Sequence, residues 1–214
     1  MKIRLYMLMM LIIAAGCSGG ILGQDTSVSD FDSLIESGWQ KYNNREYTDA
    51  YRLFIRAREF DDTRPEGYIG SGWTLLRRQE PDSAVVVFRT GMTHIETLAD
   101  SVDALTGLSG SFLAAGEDVE LINMFKKYAL SSWESGFPIN KHDFLLTEKD
   151  LEIVQAMGCY RMGLYSATDR SDPDNATYHL NQVLFTPYTY TDPQDLMDKI
   201  VSYMNSSGGN FYKN

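Results

Sequence analysis

The chain of 214 residues is acidic, because 29 Asp and Glu against 19 Lys and Arg give a formal net charge of −10 at pH 7. A body of this charge is repelled by phosphate groups, and no cluster of Lys and Arg marks a basic face, which disfavours nucleic acid and anionic headgroups as partners. The length suffices for one sizeable core. Two cysteines, Cys17 and Cys159, are too few for a disulfide framework.

The N-terminus has the layout of a secretory signal peptide. A basic start, Lys2 and Arg4, precedes an apolar run over residues 5–15, which is shorter than the ~20 apolar residues that span a bilayer. The small residues "AAGC", ending at Cys17, resemble the lipobox of bacterial lipoproteins, although Ala14 stands where that family usually has Leu. The alternative is an ordinary secretory signal cut nearby.

The resemblance to bacterial lipoproteins implies a cut that removes residues 1–16 and leaves Cys17 as the lipid-carrying first residue. Each buried acyl CH₂ contributes about 0.8 kcal/mol, so two or more chains hold a protein stably on a membrane. Ser18 follows the cysteine, where an Asp would resemble the inner-membrane retention signal of enteric bacteria. The expected location is therefore the periplasmic face of the outer membrane. Residues 17–29, rich in Gly and Ser, are predicted to be the lipidated cysteine and a flexible tether.

Two stretches of the chain repeat at a fixed spacing. Shifting the chain by 34 aligns Ile35 with Ile69, Gly38 with Gly72, Trp39 with Trp73, Ala50 with Ala84, Phe54 with Phe88 and Ala57 with Gly91. This period is typical of a helix–turn–helix unit repeated in a stack. The two stretches, 30–62 and 64–95, resemble the tetratricopeptide repeat (TPR). The resemblance implies an all-α fold, in which antiparallel helical hairpins stack as a short TPR-like solenoid with C-terminal capping helices.

Small and aromatic residues are predicted to carry the packing of these hairpins. Small residues are needed where two helices cross closely, and an aromatic residue one turn further fills the gap that opens as they diverge. The packing residues are Gly38, Tyr47, Ala50, Phe54 and Ala57 in the first unit and Gly72, Ala84, Phe88 and Gly91 in the second. A degenerate third unit over 100–131 has Ser109, Gly116, Leu121, Phe125 and Tyr128, and it follows three positions later than the period of the first two units requires.

The C-terminal part, residues 148–205, loses the period but keeps a helical pattern. Helices are predicted over 149–167, 173–184 and 193–205. The last two begin at an Asp-Pro pair, in which Asp caps the helix and Pro occupies its first turn. Cys159 is predicted to be a small buried residue at a close helix contact rather than a reactive thiol. Residues 206–214 are predicted to be a disordered tail.

No motif of catalysis or metal binding stands out in the sequence. HExxH, CxxC and GxSxG do not occur, and His94, His142 and His179 occur singly. We therefore expect no catalytic residues, no metal and no cofactor, and we favour a membrane-anchored protein-interaction or scaffolding module of the cell envelope. Two alternatives stay open. One is an enzyme or enzyme accessory domain that uses His142–Asp143 near His179, and the other is a carrier of a small apolar ligand.

The resemblance to TPR proteins also implies where a protein or peptide partner binds, because first helices of that family line a concave groove. Carried over position by position, the groove residues are Ile35, Trp39, Tyr42, Asn43, Ile69, Trp73, Leu76, Arg77 and Leu113. Paired tryptophans beside Tyr and Arg are typical of binding hot spots. The alternative is that the C-terminal helices fold back and bury these side chains as core. Neither the partner nor the oligomeric state follows from the sequence.

Overall fold

A computed structural model describes residues 26–128, 148–166, 171–184 and 186–206 of the chain. The described part contains nine α-helices and no strand. They are α1 (Thr26–Asn43), α2 (Tyr47–Phe60), α3 (Pro65–Arg77), α4 (Pro81–Met92), α5 (Leu98–Ala115), α6 (Asp118–Tyr128), α7 (Glu148–Arg161), α8 (Ala176–Val183) and α9 (Pro193–Ser206). The predictions for the signal peptide, Cys17, the pair His142–Asp143 and the tail beyond residue 206 lie outside the described residues.

Neighbouring helices pack against each other in chain order. Helices α1 and α2, α3 and α4, and α7 and α8 form closely packed hairpins, and α2 packs on α3 as α4 packs on α5. The first helices α1, α3, α5 and α7 also contact one another in succession, and α7 contacts α9. The predicted all-α arrangement of helical hairpins is therefore confirmed. None of the described helices combines the length and apolar character that crossing a membrane requires.

Local sequence explains where several helices begin and end. Pro65 and Pro81 occupy the first turns of α3 and α4, where the missing proline N–H leaves no hydrogen bond unmade. The Thr97 side chain caps α5 by accepting a hydrogen bond from the backbone N–H of Asp100. Gly116 ends α5 with φ of 78°, a left-handed conformation that glycine adopts without strain. Gly116 therefore determines where α5 ends and where the turn before α6 begins.

Phenylalanine rings fill slots between successive first helices. A Cβ atom added at Gly38 in α1 would lie 2.6 Å from Cε1 of Phe54, and one at Gly70 in α3 would lie closer still. In the next hairpin, a Cβ atom at Gly72 would lie 2.7 Å from Phe88, and Gly107 of α5 approaches the same ring. Each ring therefore lies against backbone that only glycine leaves open, at two neighbouring first helices.

The other predicted packing residues of the first two units are also buried or half-buried. Ala50, Ala57 and Ala84 are fully buried, and a Cβ atom at Gly91 would lie 2.6 Å from Cβ of Tyr68. Tyr47 is half-buried, with its ring edge-on to Tyr42 at 5.5 Å. In the degenerate third unit, the buried residues include Ser109, Leu121 and Phe125.

Helix α1 begins earlier than predicted. It starts at Thr26, whereas the predicted tether ran to residue 29. The last glycine before the helix is Gly23, and residues 26–29 contain neither Gly nor Pro, so nothing in their composition stops the helix from extending towards the N-terminus. The end of the predicted tether is thus helical.

Two boundaries in the C-terminal part differ from the prediction. Helix α7 ends at Arg161 rather than at residue 167, because Gly163 takes φ of 74° and the backbone N–H of Leu164 bonds to the carbonyl of Cys159 at 2.8 Å. Helix α8 begins at Ala176 rather than at residue 173, with Asn175 as its cap. Asp172 instead closes a turn, and its carboxylate accepts from the backbone N–H of Asp174 at 2.9 Å.

Helices α7 and α8 form a further hairpin, where the sequence had indicated only capping helices without a period. The buried residues Ala176, Leu180 and Val183 of α8 have the same spacing as the packing residues of the earlier second helices. The corresponding residues are Ala50, Phe54 and Ala57 in α2, Ala84, Phe88 and Gly91 in α4, and Leu121, Phe125 and Tyr128 in α6. The hairpin arrangement therefore continues to α8. Helix α9 packs on α7, and its Leu196 and Ile200 are fully buried.

Candidate functional site

The structure places most of the predicted partner-binding residues in the interior. Seven of the nine are buried: Trp39, Tyr42, Ile69, Trp73, Leu76, Arg77 and Leu113. Ile35 is half-buried and Asn43 is exposed. Trp73 has none of its surface exposed and Trp39 has 6%. The positions of these side chains therefore agree with the alternative prediction, in which they belong to the core. In this conformation the indole rings are not accessible to a binding partner.

Each tryptophan packs on the phenylalanine of its own hairpin. The Trp39 ring lies edge-on to Phe54 with 5.0 Å between centroids, and the Trp73 ring lies edge-on to Phe88 at 5.9 Å. Trp39 is also edge-on to Tyr42 at 5.3 Å. Edge-on aromatic pairs contribute about 0.5–1.5 kcal/mol beyond the burial of their area. The two tryptophans therefore belong to the same packed core as the phenylalanines of the repeat.

Two buried hydrogen bonds connect successive first helices. The Tyr42 hydroxyl in α1 accepts from Nε of Arg77 in α3 at 3.0 Å. The indole Nε1–H of Trp73 in α3 donates to Oδ1 of Asp103 in α5 at 2.7 Å. A hydrogen bond to a charged group is worth about twice a neutral one, and its loss inside a protein leaves a costly buried polar group. These bonds therefore fix the register of α1, α3 and α5.

Asp103 is the member of this cluster that the sequence did not reveal. It has 1% of its surface exposed, although aspartate is almost never fully buried unless it is paired. Its one sequence signal is its place among small and apolar residues of α5, where residues 102–113 are all buried. Its partner Trp73 lies 30 positions earlier in the chain. The charged groups of both hydrogen bonds, Arg77 and Asp103, are buried. The two bonds are therefore structural contacts that hold α1, α3 and α5 in register.

The histidine proposed for an enzyme lies apart from that cluster. His179 is buried in α8, with Nδ1 at 2.7 Å from the Glu152 carboxylate and Nε2 at 2.7 Å from the Pro173 carbonyl. Its predicted companions, His142 and Asp143, lie outside the described residues. The structure therefore adds Glu152, which the sequence did not single out, as the acidic partner of His179.

Cys159 is fully buried in α7, as the sequence predicted. Burial raises the pKa of its thiol to about 12, and the Asp174 carboxylate adds to this shift. The thiolate is the reactive form of cysteine, so the group is a neutral thiol at physiological pH and acts as a small apolar residue in the hairpin of α7 and α8.

Within the described ranges, no group of three or more His, Cys, Asp or Glu side chains is arranged to hold a metal ion. No protein-family model, curated protein or solved structure matches the chain significantly. The structure brings together a buried cluster across the first helices and a histidine–glutamate pair between α7 and α8.

Proposed function

We propose that this protein is a membrane-anchored, TPR-like lipoprotein that acts as a protein-interaction or scaffolding module of a bacterial cell envelope. Cys17 is the proposed lipid attachment site, and the outer membrane is the proposed location. The helical domain is the part that engages a protein or peptide partner. The net charge of −10 favours a partner whose contact surface is neutral or basic over nucleic acid or an anionic membrane surface.

The recurrence of the glycine and phenylalanine packing is the observation that carries this proposal. Phe54 and Phe88 are separated by one period of 34, and so are Gly38 and Gly72. Gly70 and Gly107 are 37 apart, which is the same period plus the three extra positions that precede the third unit. Stacked hairpins of this kind form extended surfaces from repeated elements, a property that repeat proteins use to bind other proteins.

The burial of the first-helix side chains changes which residues we propose for partner contact. Asn43, at the end of α1, is exposed, and each of the first three second helices carries an exposed apolar side chain. These are Phe60 of α2 at 45%, Val86 of α4 at 64% and Val119 of α6 at 54%. A single exposed apolar residue is normal on a protein surface, so these positions are starting points for mapping.

Cross-linking from defined positions in cells tests the proposal. A photoreactive amino acid is placed at Asn43, Val86 or Val119 of the full-length protein, and at buried Leu105 as the matched negative position. We expect a discrete protein adduct from at least one exposed position and none from Leu105. The adduct should weaken when Cys17→Ser removes the anchor. Co-purified lipid or pigment without any protein adduct would instead support the carrier of an apolar ligand.

A further inference from the structure

Three tyrosine rings meet between the end of α7 and the start of α9. Tyr160 lies in the last turn of α7, Tyr165 follows that helix, and Tyr190 precedes α9. The rings of Tyr160 and Tyr165 are stacked, with 5.2 Å between centroids and 20° between planes. The Tyr190 ring stands at 83° to that of Tyr165, with 6.4 Å between centroids. All three side chains are half-buried, so part of each faces solvent. We call these three residues the tyrosine surface.

The turn at the end of α7 brings Tyr165 onto Tyr160. Gly163 has φ of 74°, which glycine adopts without strain, and the backbone N–H of Leu164 bonds to the carbonyl of Cys159 at 2.8 Å. The chain therefore turns back within five positions, and the two rings stack. The arrangement of this ring pair thus depends on the backbone of the helix end.

Aromatic rings elsewhere in the chain have a basic side chain over their faces. Measured to the ring centroid, Arg58 lies 4.2 Å from Tyr68, Arg64 lies 3.9 Å from Phe31, and Arg78 lies 5.0 Å from Tyr51. Lys199 lies 5.6 Å from the ring of Tyr188, two positions before Tyr190. In the described ranges no basic side chain lies over a ring of the tyrosine surface. Arg161, next to Tyr160 in the sequence, instead donates to the Leu113 carbonyl at 2.8 Å.

Carboxylates lie close to the segment that contains Tyr190. The pKa of Tyr188 is raised to about 12 by its hydrogen bond to Asp195, by burial and by the charges of Asp195, Asp198 and Asp192. Asp192 and Asp198 are exposed, and neither forms an ion pair with another described residue. Their negative charges therefore remain available to attract a cation to this part of the surface.

We propose that the tyrosine surface binds a basic, arginine-containing segment of a protein partner. The face of a tyrosine ring attracts a cation, and the planar guanidinium of arginine also stacks on it. The net charge of −10 opposes the approach of an acidic segment. The inference rests on the proposed function for the existence of a protein partner, and it adds the chemistry of the bound segment and the place where it binds.

The angle between the rings favours arginine over lysine. Because Tyr165 and Tyr190 are nearly perpendicular, a guanidinium can stack on one ring while the aliphatic part of the same side chain packs on the other. A lysine ammonium has no plane to stack and is more strongly hydrated. We therefore expect arginine to bind more tightly than lysine at this surface.

Titration of the full chain with defined peptides tests the proposal. The probe is acetyl-Gly-Arg-Gly-Arg-Gly-amide, and the control peptide has citrulline in place of arginine, which keeps the planar group but removes the charge. Carbon-13 NMR of the tyrosine rings locates binding, with each signal identified as the one lost in Tyr160→Phe, Tyr165→Phe or Tyr190→Phe. We expect saturable shifts of these three signals with the arginine peptide and weaker binding of the citrulline peptide.

Variants of the rings measure their contribution to binding. Tyr165→Leu removes an aromatic face and should weaken binding of the arginine peptide about two- to fivefold, the effect of one exposed cation–π contact. Tyr165→Phe keeps the face and should keep the affinity. Tyr190→Leu, outside the helices, should weaken binding to a similar extent, so the test does not depend on the folding of one variant. The matched control is Tyr51→Leu, because Arg78 of this chain already lies over that ring, and it should leave the affinity unchanged.

Equal binding of the arginine and citrulline peptides, or shifts confined to other tyrosines, would overturn the proposal. Shifts of the same three rings by the neutral sugar cellobiose, without a response to the arginine peptide, would also overturn it and assign the surface to carbohydrate. The scaffolding function is decided separately, by cross-linking in cells from exposed helix positions. A negative titration would therefore leave that function standing, and an absence of adducts would not alter the peptide result.

Discussion

Phe88 occupies the same place in the second hairpin that Phe54 occupies in the first. Each ring lies between glycines of two successive first helices, Gly38 and Gly70 for Phe54, and Gly72 and Gly107 for Phe88. The slot thus depends on helices on both sides of the one that carries the ring. This shared geometry makes the packing of the repeat directly testable.

The first prediction concerns the slot of Phe54. Alanine at Gly70 improves helix propensity by about 1 kcal/mol, but its Cβ atom would overlap the Phe54 ring. We expect Gly70→Ala to destabilise the protein despite the propensity gain. Adding Phe54→Leu should relieve part of the overlap, so the double variant should lose less stability than the sum of the single losses. Urea denaturation of all three variants measures this coupling, and strict additivity would contradict it.

The second prediction concerns Ala50, which is fully buried in α2. Leucine at this position overpacks the crossing of α1 and α2, and we expect Ala50→Leu to cost about 1–3 kcal/mol. Asp49, one position earlier, is exposed and forms an ion pair with the exposed Arg52 at 3.1 Å. Asp49→Ala should therefore cost little, because exposed ion pairs contribute little to stability. Thermal melts compare the two, and equal losses would show that the register of α2 differs from the structure.

The third prediction distinguishes a core tryptophan from a binding-site tryptophan. Trp73 is fully buried and donates to Asp103, so Trp73→Ala should reduce the free energy of unfolding by about 3–5 kcal/mol. Val86→Ala, at a side chain that is 64% exposed, is the control and should leave stability nearly unchanged. If Trp73→Ala kept the full stability of the unaltered protein, the core assignment would be wrong and Trp73 would again be a candidate residue of the predicted binding groove.

The fourth prediction concerns the ionisation of Tyr188. Its hydroxyl donates to the Asp195 carboxylate at 2.6 Å, and this bond raises the pKa of Tyr188 to about 12. The same bond lowers the pKa of Asp195. The raised tyrosine pKa stabilises the fold below the ordinary pKa of about 10, and this contribution is lost as the pH rises through about 12. The lowered Asp195 pKa stabilises it above about pH 3.9 and loses its effect on acidification.

Titration of tyrosinate absorbance measures this shift, as the difference between the unaltered protein and Tyr188→Phe. Asp195→Asn should bring the pKa of Tyr188 down towards the ordinary value of about 10. Asp82→Asn, at an exposed carboxylate of α4, should leave it in place. An unchanged titration in Asp195→Asn would mean that the hydroxyl has another acceptor in solution.

The fifth prediction concerns the membrane anchor. Cys17→Ser should abolish lipid attachment and leave uncleaved precursor or a protein released from the membrane. Fractionation and mass spectrometry of the intact protein measure both effects, and Cys159→Ser is the matched control because that thiol is buried. A Cys17→Ser protein that stays in the membrane fraction, with a mass altered only by the substitution, would rule the anchor out.

The sequence predicted the first two hairpins because their packing depends on local, regularly spaced residues. Gly38 and Phe54 lie 16 positions apart, and so do Gly72 and Phe88, so that the period is visible when the chain is compared with itself. The hairpin of α7 and α8 was missed because a longer connection, from 162 to 175, separates its helices and hides the spacing. The pattern inside α8 is nevertheless the same as in α2.

The burial of the candidate site was not predictable from the same patterns. A tryptophan that recurs at one repeat fits both an open groove and a core, since the spacing fixes its helix face but not what covers that face. The pairs Tyr42–Arg77 and Trp73–Asp103 join residues 35 and 30 positions apart. Neither separation equals the repeat spacing of 34, so comparing the chain with itself does not reveal either pair.

The shared slots of Phe54 and Phe88 define which pieces of the chain are complete. A fragment cut after α2 would keep Phe54 but lose Gly70, and one cut after α4 would keep Phe88 but lose Gly107. The same second cut would remove Asp103, the acceptor of the Trp73 indole. The natural unit is therefore a triplet of helices that overlaps the next triplet by one member. Shortened versions should fold better when they end after a first helix, such as α3 or α5, than when they end after a whole hairpin.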